Sequence, residues 1–225
     1  MDFLAGQTLL FDKPQGWTSF DVVRKVRNLI RIKKVGHAGT LDPLATGLLI
    51  ICTGRATKTI EAIQAQEKEY EALIRFGAIT ASYDAEQPEE QVQDVSHLDR
   101  ATIEAALSAF RGEIEQVPPK YSAVKVKGKR AYQAARQGQD IQLKSRRVHI
   151  YAFDLLDQAP DDPTCWHARI RCSKGTYIRS LAHDLGQALG TGAYLKGLIR
   201  TRIGDYRLED AWTIEGFQAA LDKEP

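Results

Sequence analysis

Residues 36–58 read GHAGTLDPLATGLLIICTGRATK. Two glycine turns, a histidine, a threonine and an aspartate fall within Gly36–Asp42, an apolar run follows over Leu48–Cys52, and a second glycine turn bears Lys58. Ordinary core sequence does not concentrate turn formers and ionisable groups in this way. The segment reads as a site leading into a buried strand. Within it, Asp42-Pro43 has the form of a helix N-cap followed by proline at the first helical position.

Upstream, Thr8–Asp12 reads as a short strand ending at the turn Lys13-Pro14-Gln15-Gly16. Thr18 opens a helix, with Asp21 three residues on in a capping-box arrangement. Phe20, Val23, Val26 and Ile30 recur at helical spacing as its buried face, and Arg24, Arg27 and Arg31 form a basic stripe. Downstream, Tyr70–Phe76 alternates as a strand and Thr80–Ser96 is acidic and irregular. Asp99 caps a helix that stops at Gly112. Pro118–Gly138 carries a lysine-rich stretch before a short helix. Val148–Leu155 and Trp166–Cys172 read as strands, Ser173–Thr176 as a turn into a helix, and Ile214–Leu221 as a last helix. Strands and helices mix without regular βαβ alternation, which predicts an α+β fold. With no repeat and no long linker, the expectation is one continuous domain over 1–225 carrying an insertion at roughly 118–151.

Hydrophobic residues make up 43% and charged residues 27%, as in soluble globular chains. The apolar run at 48–52 is far short of the ~20 residues of a membrane span, and no signal peptide is visible. Cys52, Cys165 and Cys172 lack paired spacing, which excludes a disulfide scaffold or a zinc ribbon and fits the cytoplasm. The net charge of +2 hides an asymmetry: Thr80–Glu115 holds nine acidic residues against two arginines, and Pro118–Tyr151 nine basic residues against Asp140. One basic patch is equally well a solvated surface. Two of them flanking the same candidate site, the other being Arg24–Lys34, point to a polyanion such as nucleic acid.

Gly54-Arg-Ala-Thr-Lys58-Thr59 invites a phosphate-loop reading, but Thr57 stands where that loop needs glycine, so nucleotide hydrolysis is set aside. No His-x-x-x-His or comparable cluster predicts a metal. Asp42 alone reads as a cap and His37 alone as a structural histidine. Arg179 is more telling, because it sits in the first turn of its helix, where the macrodipole disfavours a cation. A carboxylate or a bound phosphate there would remove the penalty. Lys174 and the Ser173–Thr176 turn add donors of the kind that bind phosphate.

Together these residues resemble the TruB-type tRNA pseudouridine synthases over nearly the whole chain. The matching motifs are Leu10-Phe-Asp-Lys13-Pro-x-Gly16-x-Thr18-Ser19, Gly36-His-Ala-Gly-Thr-Leu-Asp42-Pro-x-Ala-x-Gly47, Gly54-x-Ala-Thr-Lys58 and Lys68-x-Tyr70. Gly77-x-x-Thr80-x-x-x-Asp84, Pro118-Pro-x-Tyr-Ser-Ala123, Ala134-x-Arg136-x-Gly138, Cys172-Ser-Lys-Gly-Thr-Tyr177-Ile-Arg179 and Leu195-x-x-Leu198-x-Arg200-Thr201 continue them.

The resemblance implies a pseudouridine synthase fold, a mainly antiparallel sheet flanked by helices, and isomerisation of uridine 55 in the tRNA T-loop without cofactor or metal. It implies Asp42 as the catalytic carboxylate, Arg179 as its pairing arginine and Tyr70 as the aromatic that stacks on the target base. His37 would hold the place of the extruded base, Lys58 and Asp84 would form a supporting ion pair, and Leu198 would wall the base pocket. Lys13, Lys125, Lys127, Lys129, Arg136, Lys174 and Tyr177 are the candidate RNA contacts, several of them in the RNA-clamping insertion. Longer members carry a C-terminal RNA-binding domain, and none is expected here. A monomer acting on tRNA, with no membrane, no guide RNA and no obligatory protein partner, is the expectation. An RNA-folding helper and a guide-dependent relative are the alternatives.

Overall fold

The computed structural model describes residues 2–122, 124–126, 129–131 and 142–223. These fall into two compact units, Met1–Glu71 with Leu198–Pro225, and Ala72–Gly197. Strands β4 (Lys68–Phe76) and β10 (Ala193–Ile203) each contribute residues to both. The architecture is α+β, as the lack of βαβ alternation predicts.

In the first unit β3 (Thr46–Thr53) is the organising strand. β1 (Thr8–Lys13) lies antiparallel along one edge, with Thr8 opposite Cys52 and Lys13 opposite Gly47. The other edge takes β10 in parallel at Thr46–Gly47 and β2 (Val35–His37) antiparallel at Ile51–Thr53. Leu49 and Ile51 face a cluster with Leu9, Phe11, Val22, Val26 and Phe217, while Leu48, Ile50 and Cys52 face Ala38, Ile63 and Ile203. Burial on both faces is why the sequence runs LLIIC without a polar alternation.

Helix α1 (Ser19–Ile30) starts at a Thr18–Asp21 capping box, as read from the sequence. Its buried face is Ser19, Val22, Val23 and Val26, and Phe20 is 58% exposed, which corrects its assignment to the core. The basic stripe is also not free as a whole: Arg24 pairs with Asp21 at 2.8 Å, and Arg27 donates to Val35 O at 3.1 Å. Asp42-Pro43 is not a helix start. Ala45 N–H closes back on Asp42 O at 3.1 Å, and the chain enters β3 one residue later. Proline sits after an extended residue in many turns, and the cap pattern alone does not separate the two. Helix α2 (Ile60–Ala65) follows a 3-10 segment, Gly54–Thr59.

In the second unit the strand order is β10-β4-β9-β8-β5, where β5 is Gly112–Gln116, β8 Arg146–Gln158 and β9 Cys165–Cys172. β5–β8 and β8–β9 are antiparallel. Trp166, Ala168, Ile170 and Cys172 are buried while His167, Arg169 and Arg171 are exposed, the alternation the sequence predicts. Helix α3 (Arg100–Leu107), capped by Asp99, packs on β8, and helix α4 (Ile178–Ala188) buries Ile178, Leu181, Ala182 and Leu185. The short strands β6 (Lys125–Val126) and β7 (Lys129–Arg130) form a hairpin. The predicted helix ending at Gly138 lies outside the described residues. Helix α5 (Ile214–Leu221) returns to the first unit.

Phe217 is fully buried and meets Phe3, Phe11 and Trp212 edge to face at 5.1–6.3 Å. Phe217→Ala should lower unfolding free energy by about 3–5 kcal/mol, read as a shift in urea midpoint at constant m.

Candidate active site

The loop that carries Asp42 is held mostly by groups outside it. Ala38 N–H donates to Ile50 O at 2.8 Å. Leu41 is clasped by Ser19: its N–H donates to Ser19 Oγ at 2.8 Å, and that hydroxyl donates to Leu41 O at 3.2 Å. Pro43 O accepts from Gly16 N–H at 2.8 Å and from the Lys13 ammonium at 3.5 Å. Gly47 N–H donates to Asp12 Oδ1 at 3.1 Å. Gly47 has φ +95°, and a Cβ there would stand 2.4 Å from Arg200 O. Only glycine lets β3 begin beside β10. Asp42 itself is half-buried.

Two buried cations lie under this loop. Arg200, 1% exposed, donates from Nε to Leu48 O at 2.8 Å, from one terminal nitrogen to Gly39 O at 3.1 Å and from the other to Thr40 O at 3.5 Å. Tyr70 is buried on the inward face of β4. Lys13 is fully buried, and its ammonium donates to Trp17 O at 2.6 Å and Pro14 O at 2.9 Å. Burial pulls the Lys13 pKa down to about 8; the Asp42 carboxylate resists, Arg200 adds to the fall, and Asp12 and Asp21 oppose it. His37 is half-buried, and burial followed by Arg200 pushes it toward the neutral imidazole, with the Gly39 backbone opposing.

In the second unit Arg179 is the second residue of α4 and only 5% exposed. Its guanidinium lies 3.4 Å from Asp84 Oδ2 and donates to Ser82 O at 3.2 Å and Tyr121 O at 3.0 Å. Asp84 is a carboxylate of the kind that the helix-start argument calls for. Asp84 is 1% exposed and also accepts from Glu86 N–H at 3.0 Å and from Ser82 Oγ. Lys58, the lysine the resemblance pairs with Asp84, is exposed at the end of the 3-10 segment.

Of the remaining candidates, Leu198 is half-buried in β10 and Lys174 is exposed in the turn before α4. Tyr177 is the N-cap residue of α4, with the Arg146 guanidinium 5.0 Å over its ring. Lys125 and Lys129 lie in the β6–β7 hairpin. Lys127 and Arg136 fall outside the described residues. Among the described residues no group of three or more His, Cys, Asp or Glu side chains converges as a metal site requires, and no helix is long and apolar enough to cross a membrane.

Sequence reasoning assigned no role to Ser19, Arg200 or Gln116. Gln116 is fully buried and exchanges two hydrogen bonds with the Tyr177 backbone, at 2.8 and 3.0 Å, in place of a capping side chain on α4. Ser19 and Arg200 stand inside quoted motifs, so their signal is position alone. Nothing in sequence marks Gln116.

Residues 27–178 match the N-terminal domain of the TruB family of pseudouridylate synthases, and residues 179–224 match a tRNA pseudouridylate synthase B C-terminal domain. The tRNA pseudouridine synthase B of Phocaeicola vulgatus is 51% identical over 231 aligned residues, covering 100% of this chain and 97% of the relative. That of Bacteroides thetaiotaomicron is also 51% identical, with 100% and 96% covered. Among solved structures, a chain of a Cbf5-Nop10-Gar1 complex superposes with TM-score 0.75 at 30% identity over 96% of this chain. A chain of an H/ACA RNP bound to a substrate RNA containing 2′-deoxyuridine gives TM-score 0.70 at 28% identity over 94%. This chain spans about half of each, 54% and 52%. The chain belongs to the TruB family of pseudouridylate synthases.

Lys13 gives a pH signature. Below pH 8 it is charged both folded and unfolded, and the full cost of burying the charge is in force. Between its folded value of about 8 and its ordinary 10.5, the unfolded state binds more protons, so this group makes stability rise with pH. The unfolding free energy of the protein minus that of Lys13→Met should therefore grow across pH 8–10.5 by up to ~3 kcal/mol. Denaturation at matched pH values reads it, and a flat difference would mean the lysine is not buried as a cation.

Proposed function

We propose that the chain converts uridine 55 in the T-loop of tRNA to pseudouridine: the C1′–N1 bond breaks, the base rotates, and C1′ rejoins at C5. Membership of the TruB family across the whole chain, with relatives named tRNA pseudouridine synthase B at 51% identity, supports the substrate and the reaction. The observation that carries the choice of catalyst is the Asp42 turn, in which Ser19, Arg200, Lys13 and Gly16 hold the backbone on both sides of one half-buried carboxylate.

In this reading Asp42 acts on the nucleoside, either by covalent attack at C1′ or C6 or by helping to remove a ribose proton through a glycal. A carboxylate in either role needs to be held and kept ionised, and the cations Lys13 and Arg200 give its turn a positive surrounding. Tyr70 and Arg179 complete the catalytic set carried over from the resemblance. A T-loop uridine must be extruded to react, at a cost of a few kcal/mol of unstacking, and His37 is the residue assigned to the vacated place. Lys58, Asp84 and Leu198 support the site. Lys13, Lys125, Lys127, Lys129, Arg136, Lys174 and Tyr177 serve RNA contact. The protein works as a cytoplasmic monomer on tRNA alone.

The likeness to chains of a Cbf5-Nop10-Gar1 complex and of an H/ACA RNP bound to a substrate RNA favours, as a second reading, dependence on partner proteins and a guide RNA. Incubating the purified chain with unmodified tRNA transcript and mapping pseudouridine by nucleotide separates the two. Product at position 55 without additions is expected; none without a guide would overturn the first reading.

Asp42→Asn should lower product formation by on the order of 10³-fold or more while tRNA binding persists. Retained turnover would remove Asp42 from the chemistry. Arg179→Leu should cost far more turnover than tRNA affinity, measured by single-turnover rate against filter binding; equal losses would mean that Arg179 grips RNA. Affinity itself should rise as salt is lowered, with log K linear in log salt, and a flat line would exclude the basic segments as the RNA grip.

A further inference from the structure

Arg200 is the largest fully buried side chain among the described residues, and its surroundings are unusual for a buried cation. Among the described residues no carboxylate stands within ion-pair distance of it. Its hydrogen bonds go to neutral oxygens, the carbonyls of Leu48, Gly39 and Thr40. A guanidinium taken out of water costs several kcal/mol unless its donors are used. Here they are used on one loop and the strand that follows it. Leu48 O belongs to the strand the loop enters, and Gly39 O and Thr40 O to the loop three and two residues before Asp42.

We propose that Arg200 is a positioning residue of the isomerisation, its planar fork fixing the Asp42 turn against the start of β3. The proposal rests on the function given above and goes beyond it, because neither composition nor the resemblance assigned Arg200 a role. Gly39 fits the same design. It holds φ +101° with its α-carbon so placed that a Cβ would stand 3.5 Å from an Arg200 terminal nitrogen, and its carbonyl is the one the fork holds at 3.1 Å. Lysine cannot replace the fork: one ammonium is a point charge that cannot reach a strand carbonyl and two loop carbonyls together.

The test is Arg200→Lys, scored by single-turnover pseudouridine formation, tRNA affinity and the unfolded fraction. Expected is a fall of about 10²-fold in single-turnover rate, the cost of a small misplacement, with affinity within about threefold of wild type. A loss no larger than the unfolded fraction, or an equal loss of affinity, would overturn the proposal and leave Arg200 a core residue. Should Arg200→Lys fail to fold, Gly39→Ala takes over the same readouts. It leaves every Arg200 atom in place but strains the backbone whose carbonyl the fork holds, and unchanged turnover there would equally overturn the proposal. Absence of product from the wild-type protein would instead count against the function itself.

Discussion

Between Ala38 and Thr46 the chain has no helix and no strand to satisfy its backbone, and the carbonyls of Gly39 and Thr40 are met by one buried guanidinium from a strand 160 residues away. A carbonyl left unmet in such a place costs about as much as a lost hydrogen bond, and a guanidinium left unmet costs more. Each group therefore solves the other's problem, and neither is comfortable alone. The contact fixes the turn, the turn fixes where Asp42 stands, and the start of β3 beside β10 depends on the same glycine-lined approach.

Lys13 plays the complementary part from the other side. It belongs to β1, and its ammonium gathers the carbonyls of Pro14, Trp17 and Pro43, so the first turn of the chain and the Asp42 turn share one cation. Its depressed pKa records what that burial costs. Ser19 adds a neutral clasp from the first residue of α1. The opening motif of the chain is thus largely the mounting for the second motif, which explains the lysine, the glycine and the serine that stand in it.

The second unit uses a different device. Arg179 sits at the end of its helix that repels cations, and Asp84, the Ser82 carbonyl and the Tyr121 carbonyl hold it there. Gln116 replaces the absent capping side chain by pairing with the Tyr177 backbone in both directions. A helix start built this way is expensive to assemble and rigid once assembled.

The sequence by itself determined the α+β class, the buried double-faced strand, the capping box at Thr18, the alternation of β9 and the family. Each of these rests on local periodicity, on cap chemistry or on an ordered set of motifs. It misread Phe20 as core because helical spacing gives a face and not which neighbour covers it. It misread Asp42-Pro43 as a helix start because a cap and a turn use the same residue types. Only the tertiary structure decided that Arg200 lies under the Asp42 turn, that Asp84 answers Arg179, and that Gln116 completes a helix 61 residues away. Those partners are distant in the chain and are chosen by where burial leaves a donor or an acceptor unmet, a condition that exists only once the chain has folded.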